Sequence, residues 1–118
     1  MDLPAKLQIK AGTLVTVVAA PAGGPDLAGL ELAGAQAEAG AVIAFARRLA
    51  DLAGVAPPAI EAARQDKLAW IAYPKAGQLG TDLSRDALAR WAGDHGIRPV
   101  RQIALDEVWL ALRFRPAP

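Results

Sequence analysis

The sequence contains no cysteine and only one histidine. Without thiols the chain can form no disulfide bond, no thiolate metal site and no cysteine nucleophile. A zinc site built from protein ligands alone is also not expected, since such sites combine several cysteine or histidine side chains. The only serine, Ser84, lies at a predicted helix start without a suitable histidine and acid, so we expect no catalytic residue of the serine-hydrolase type.

The chain also lacks an excess of charge of one sign. Thirteen Lys and Arg against twelve Asp and Glu give a net charge of +1. Binding to a phosphate backbone usually requires a strongly basic surface, so we expect no nucleic-acid partner. The start of the sequence has no signal-peptide pattern, and uncharged apolar runs are too short to span a bilayer. We therefore expect no membrane partner and a cytoplasmic location.

What the sequence does contain is a series of short apolar runs separated by helical segments. A length of 118 residues and a hydrophobic fraction of 53%, much of it alanine, suit a single domain over residues 1–118. Strands are predicted for the runs at 14–20, 41–46, 68–73, 100–105 and 108–114, and helices for 57–65 and from about 84 to 94.

This alternation predicts an α/β fold with parallel pairing and right-handed crossovers. The last two runs are separated by Asp106 and Glu107, which predicts a closing antiparallel hairpin. We therefore expect a small Rossmann-like, three-layer sheet of about five strands, mostly parallel with a C-terminal antiparallel hairpin.

Four cations follow the predicted strands. Arg47 and Arg48 follow the second, Lys75 follows the third, and Arg85 lies in the first turn of the next helix. Ligands of parallel sheets bind at the carboxyl ends of the strands, so these residues form a candidate site for a small anion. The alternative is that nearby aspartates neutralise them in solvated pairs.

Three further positions carry local hypotheses. Asp82 is placed to act as a helix cap or as a polar residue of the site. We favour a role in capping over a role as a general base. Trp109 and Arg113 alternate with Leu110 and Leu112, so they share one face of the hairpin. If no helix covers that face, Trp109 and Arg113 form a self-association surface and the chain is a homodimer; the alternative is that Trp109 fills the core.

Roughly the last fifty residues of the chain resemble a family of small bacterial proteins classed only as a domain of unknown function. The matching pieces are Tyr73-Pro74-Lys75, the helix start from Thr81 to Arg85, and the hairpin with Val100-Arg101-Gln102, Asp106, Trp109 and Leu112-Arg113-Phe114. The order of strands also looks like a shortened class I methyltransferase. The resemblance implies a fold and no activity. S-adenosylmethionine is not expected to bind, because the glycine loop after the first strand is poor and no acid follows the second, so no cofactor is predicted.

Two functions remain open at this point. The first is a non-catalytic binding or interaction module with a degenerate Rossmann-like fold. The alternative is an enzyme or enzyme subunit that acts on a small phosphorylated or carboxylated metabolite through Lys75, Asp82 and Arg85.

Overall fold

A mixed six-stranded sheet forms the centre of the computed structural model, which describes residues 2–35 and 38–118. The strands are β1 (Leu14–Val18), β2 (Glu31–Leu32), β3 (Ala41–Phe45), β4 (Leu68–Pro74), β5 (Ile97–Ala104) and β6 (Trp109–Pro116). Their spatial order is β2-β1-β3-β4-β6-β5. The first four are parallel, and β6 is antiparallel to both of its neighbours, β4 and β5.

Four helices accompany the sheet in the described part of the chain: α1 (Leu3–Lys6), α2 (Leu52–Val55), α3 (Pro57–Arg64) and α4 (Arg85–Gly93). A 3-10 turn, Leu49–Asp51, precedes α2. Proline begins α3, where the missing N–H costs no hydrogen bond. Ser84 caps α4, its hydroxyl accepting from the Ala87 N–H at 3.1 Å. None of these helices has the length and apolar character needed to cross a bilayer.

The two faces of the sheet are covered differently. Helices α2, α3 and α4 pack on one face, where Leu52, Ile60 and Leu88 join the core. The N-terminal segment (residues 2–10) covers part of the other face through Leu7, which is fully buried. There Trp70 Nε1 donates to the Leu7 carbonyl at 3.1 Å. This hydrogen bond joins the N-terminal segment to the central strand β4.

The predicted α/β class and the antiparallel C-terminal hairpin are confirmed. The sheet has six strands rather than about five, because the two-residue β2 also pairs with β1. The connection between β1 and β3 contains Pro21, Gly23, Pro25 and Gly29, which disfavour a crossover helix. Turns and β2 therefore occupy the described part of that connection, and among described residues the face beneath it carries only the single-turn α1.

Burial of Leu7 predicts a large stability loss on truncation. Leu7→Ala removes a side chain with no exposed surface from the contact with Trp70, so we expect a loss of about 2–5 kcal/mol in the free energy of unfolding. Urea denaturation followed by tryptophan fluorescence measures it. Leu32→Ala is the matched control, because Leu32 is 65% exposed and should change stability by about 0.5 kcal/mol or less. Equal losses in the two variants would contradict the packing of the N-terminal segment.

The ion pair between Asp66 and Arg115 predicts a pH dependence. Arg115 Nε and Nη2 each donate to an Asp66 carboxylate oxygen at 3.0 Å, and this contact holds the pKa of Asp66 below its ordinary value. A carboxyl with a lowered folded-state pKa stabilises the fold above its ordinary pKa, and this contribution is lost as the pH falls through the folded pKa.

We therefore expect Asp66→Asn to lower the free energy of unfolding at neutral pH only slightly, since both side chains of the pair are about half exposed. The variant should also lose less stability than the wild type when the pH falls into the acid range. Urea midpoints measured from neutral to strongly acidic pH test this. Asp94→Asn, at an exposed carboxyl without an ion pair to a described residue, should retain the wild-type acid dependence. Identical pH profiles for Asp66→Asn and the wild type would refute the expectation.

Candidate small-molecule cleft

A cleft of about 790 Å³ opens at the carboxyl ends of the parallel strands. Its walls come from the loop after β1, the chain after β3, Leu79 in the loop after β4, and the turn between β5 and β6. Ligand sites of open α/β sheets lie at this end of the strands, and their volumes usually fall between about 300 and 1,000 Å³. The cleft therefore has the position and size of a small-molecule site.

The loop after β1 forms a tight turn at one wall. The Gly24 N–H donates to the Pro21 carbonyl at 3.1 Å, and Gly23 has φ +68°. A side chain at Gly24 would clash with the Pro21 ring, so this position requires glycine. The N–H groups of Ala22 and Gly23 have no acceptor among the described residues, and both residues line the cleft.

Two aromatic rings form a second wall. Phe45 ends β3 and Trp109 begins β6, and their rings meet edge to face with centroids 5.3 Å apart. Edge-to-face packing of this kind holds both rings in fixed orientations. Val55, Leu79 and Val108 add further apolar surface to the cleft. Phe45 and Trp109 are themselves buried, so the surface that a ligand can contact on this wall is that of Val55, Leu79 and Val108.

Two carboxylates at the cleft are already bound to the backbone. Asp51 Oδ2 accepts from the N–H groups of Arg47 and Arg48 at 3.2 and 3.1 Å. Asp106 Oδ1 accepts from those of Val108 and Trp109 at 2.8 and 2.7 Å. Each carboxylate thereby stabilises a turn that shapes the cleft. Their geometry is that of turn-stabilising groups rather than of a paired general acid and base.

The predicted anion-binding cations do not all lie on this cleft. Arg47 lines it, whereas Arg48, Lys75 and Arg85 are not among its lining residues. The Arg48 guanidinium packs instead against the loop after β4, where a Cβ on Gly80 would lie 3.4 Å from Arg48 Nη2. Consecutive side chains after a strand diverge, so Arg47 and Arg48 face different neighbours.

The other two cations, Arg85 and Lys75, have different surroundings. Burial raises the pKa of the Tyr73 hydroxyl, and the positive charge of Arg85 opposes this rise, so Arg85 lies near that hydroxyl. Tyr73 belongs to the core beneath the helices and donates to Gln102 Oε1 at 2.9 Å. Lys75 is half-buried, and its backbone N–H donates to the Val108 carbonyl at 2.7 Å.

Asp82 caps a different element from the one predicted. The N-cap of α4 is Ser84, the residue directly before the first helical turn. Asp82 Oδ1 instead accepts from the Leu49 N–H at 2.8 Å, at the start of the 3-10 turn. Asp82 lies two residues too early to reach the first N–H groups of α4. Its role is to join the loop after β4 to the chain after β3.

The predicted self-association surface is wrong. Trp109 and Arg113 do share a face of β6, but that face is covered: Trp109 is only 2% exposed. Arg113 Nη1 donates to Gln8 Oε1 at 2.8 Å, under the N-terminal segment. Alternation along the strand identified the face correctly, but it carried no information about the distant segment that covers it.

The residues that sequence reasoning missed are mainly apolar. Phe45 could have been found as the last residue of a buried strand, at the edge where ligands bind. Leu79 and Val108 lie in loops, and no local pattern marks them as part of a site. Among the described residues, no three His, Asp or Glu side chains cluster as metal ligands would.

Comparisons with protein-family models, with curated proteins and with solved structures found no match to this chain. The interpretation of the cleft therefore depends on its own chemistry.

The Asp106 carboxylate predicts a local stability effect at the cleft. Asp106→Ala leaves the N–H groups of Val108 and Trp109 without their acceptor, and we expect a loss of about 1 kcal/mol, as for loss of a helix cap. Thermal and urea denaturation measure it. Glu107→Ala changes the neighbouring exposed carboxyl, which has no hydrogen bond to a described residue, and should be nearly neutral. If Glu107→Ala were the more damaging change, the assigned role of Asp106 would be wrong.

Proposed function

We propose that this chain is a non-catalytic binding module, with a degenerate Rossmann-like sheet, that holds a small organic anion in the strand-end cleft. The observation that carries the proposal is the joint placement of apolar side chains and a cation. Val55, Leu79 and Val108 supply accessible apolar surface, and Arg47 lines the same cleft. Burial of an apolar body favours binding, while a guanidinium and free N–H groups attract the anionic group.

The position of the carboxylates supports binding rather than catalysis. Asp51 and Asp106 are each engaged by two backbone N–H groups. One oxygen of each carboxylate is held by the turn that it stabilises, which gives both residues a structural role that requires no catalysis. The enzyme alternative invoked Lys75, Asp82 and Arg85, but Asp82 is bonded to Leu49 and none of the three lines the cleft. No observation favours that alternative.

A relationship to the small bacterial family, and to a shortened class I methyltransferase, remains part of the proposal. Strand β6 lies antiparallel between β4 and β5, which agrees with the expected closing hairpin. The ligand we propose is not S-adenosylmethionine, because the loop after β1, Ala22-Gly23-Gly24, lacks the glycine pattern that holds such a cofactor.

Titration with 2-naphthoate tests the proposed function, because this probe combines a flat apolar body with a carboxylate. We expect saturable shifts of the N–H NMR signals of Ala22, Gly23 and Arg47 and of the Trp109 indole. Arg47→Gln should weaken binding by about tenfold or more, since it removes a charge-assisted hydrogen bond of about 1.5–3 kcal/mol.

Arg48→Gln is the matched control. It removes the same charge from the adjacent residue, whose side chain does not line the cleft, and should leave the affinity nearly unchanged. Both arginines are exposed and bond Asp51 through their backbone rather than their side chains, so both variants should fold. Absence of binding, or equal weakening by the two changes, would overturn the proposal.

A further inference from the structure

Four arginine side chains share one face of the β5–β6 hairpin, on the side of the sheet that carries the N-terminal segment. Arg113 and Arg115 alternate along β6 on the face of Trp109. The register places Arg101 directly opposite Arg113, and it places Arg98 directly opposite Arg115. Directly opposite residues of paired strands project from the same face. A bulge in β5 just before Arg101 brings both β5 arginines to this face. The near-neutral chain therefore has a local group of cations, the arginine cluster (Arg98, Arg101, Arg113 and Arg115).

One carboxylate neutralises part of the arginine cluster. Asp66 accepts two hydrogen bonds from Arg115, and this is the one ion pair within the part of the chain that the structure describes. The hydrogen bond from Arg115 and the further charge of Arg113 lower the pKa of Asp66, so both guanidinium groups lie near this carboxylate. Arg101 is exposed and has no ion pair with a described residue. Positive charge thus exceeds negative charge on this face.

The arrangement of the cluster is unfavourable in the unliganded protein. Like charges that lie directly opposite each other destabilise a sheet, and this hairpin has two such pairs side by side. Arg113 Nη1 donates to Gln8 Oε1 at 2.8 Å, but Arg113 Nε is buried without an acceptor, which also costs free energy. Natural proteins keep such arrangements mainly at functional sites. A bound anion would neutralise the repulsion.

We propose that the arginine cluster binds a compact, multiply charged phosphate compound of the diphosphate type. Guanidinium groups pair with phosphate oxygens through two parallel hydrogen bonds, and arginine is suited to this role because it stays charged and planar. The site is separate from the cleft. None of the four arginines lines the cleft, and Arg115 bonds Asp66 just before the amino end of β4, whereas the cleft opens at the carboxyl end.

A nucleic-acid strand fits this face less well. Proteins that bind single strands stack the bases on accessible aromatic rings, but Trp70 and Trp109 on this face are buried. A duplex backbone is usually bound by an extended basic surface, whereas these arginines occupy two adjacent cross-strand pairs. The compact grouping favours a small ligand whose negative charges lie close together.

Titration with inorganic pyrophosphate, followed by calorimetry at neutral pH and constant ionic strength, tests the inference. Sulfate is the reference anion, and we expect saturable binding of pyrophosphate that is tighter than that of sulfate. Arg101→Gln should weaken pyrophosphate binding about three- to tenfold, as for the loss of one exposed charge-assisted hydrogen bond. This variant should fold, because Arg101 is exposed. Asp66→Asn should strengthen binding, since it removes a carboxylate that competes for Arg115.

Arg90→Gln is the matched control, because Arg90 is an exposed arginine of α4 on the other face of the sheet. Arg47→Gln changes the cleft instead, and both variants should retain the wild-type affinity for pyrophosphate. Sulfate binding as tight as that of pyrophosphate, or equal weakening by Arg101→Gln and Arg90→Gln, overturns the inference. Weakening by Arg47→Gln alone also overturns it, because pyrophosphate then binds in the cleft. A DNA duplex that binds through Arg101 while pyrophosphate does not bind would refute the ligand class. None of these results bears on the binding of 2-naphthoate, which tests the proposed function separately.

Discussion

The register of β6 against β4 is the constraint on which the rest of the structure depends. Trp109 pairs with Pro74 and Leu112 with Ile71, so the first residue of β6 lies at the carboxyl end of a parallel strand. A shift of one residue would turn Trp109 toward the helices and Leu110 toward the cleft. The aromatic wall, the turn held by Asp106 and the contact of Arg113 with the N-terminal segment all require this register.

Small side chains allow this arrangement in a chain with few aromatic residues. The central strands β3 and β4 contain Ala41, Ala44, Ala69 and Ala72, all of them buried. Alanine at these positions lets α3 lie close to one face and leaves room on the other for the bulky Trp70 and Trp109. Few large residues thus suffice to fill the core, and Trp70 and Trp109 occupy the space that the alanines leave.

The sequence indicated the elements that depend on local pattern. The continuous apolar runs of β3 and β4 are typical of strands buried on both faces, and both were predicted. The short β2 was not, because Glu31 and Leu32 form a strand only through pairing with β1. Among the site residues, Arg47 was predicted from its position after a strand. The bonding partner of Asp82, Leu49, and the ring that packs on Trp109, Phe45, lie 33 or more positions away along the chain, and no local pattern contains that information.

The contacts of the N-terminal segment also set an order of events during synthesis. Leu7 meets Trp70 across 63 positions, and Gln8 meets Arg113 across 105. Residues 2–10 therefore leave the ribosome long before the strands that they cover exist. Until β4 and β6 have formed, Leu7 has no core to enter, and contacts between such distant residues form slowly. The N-terminal segment is thus synthesised before β4 and β6 but docks after them, and during that interval its apolar side chains are exposed.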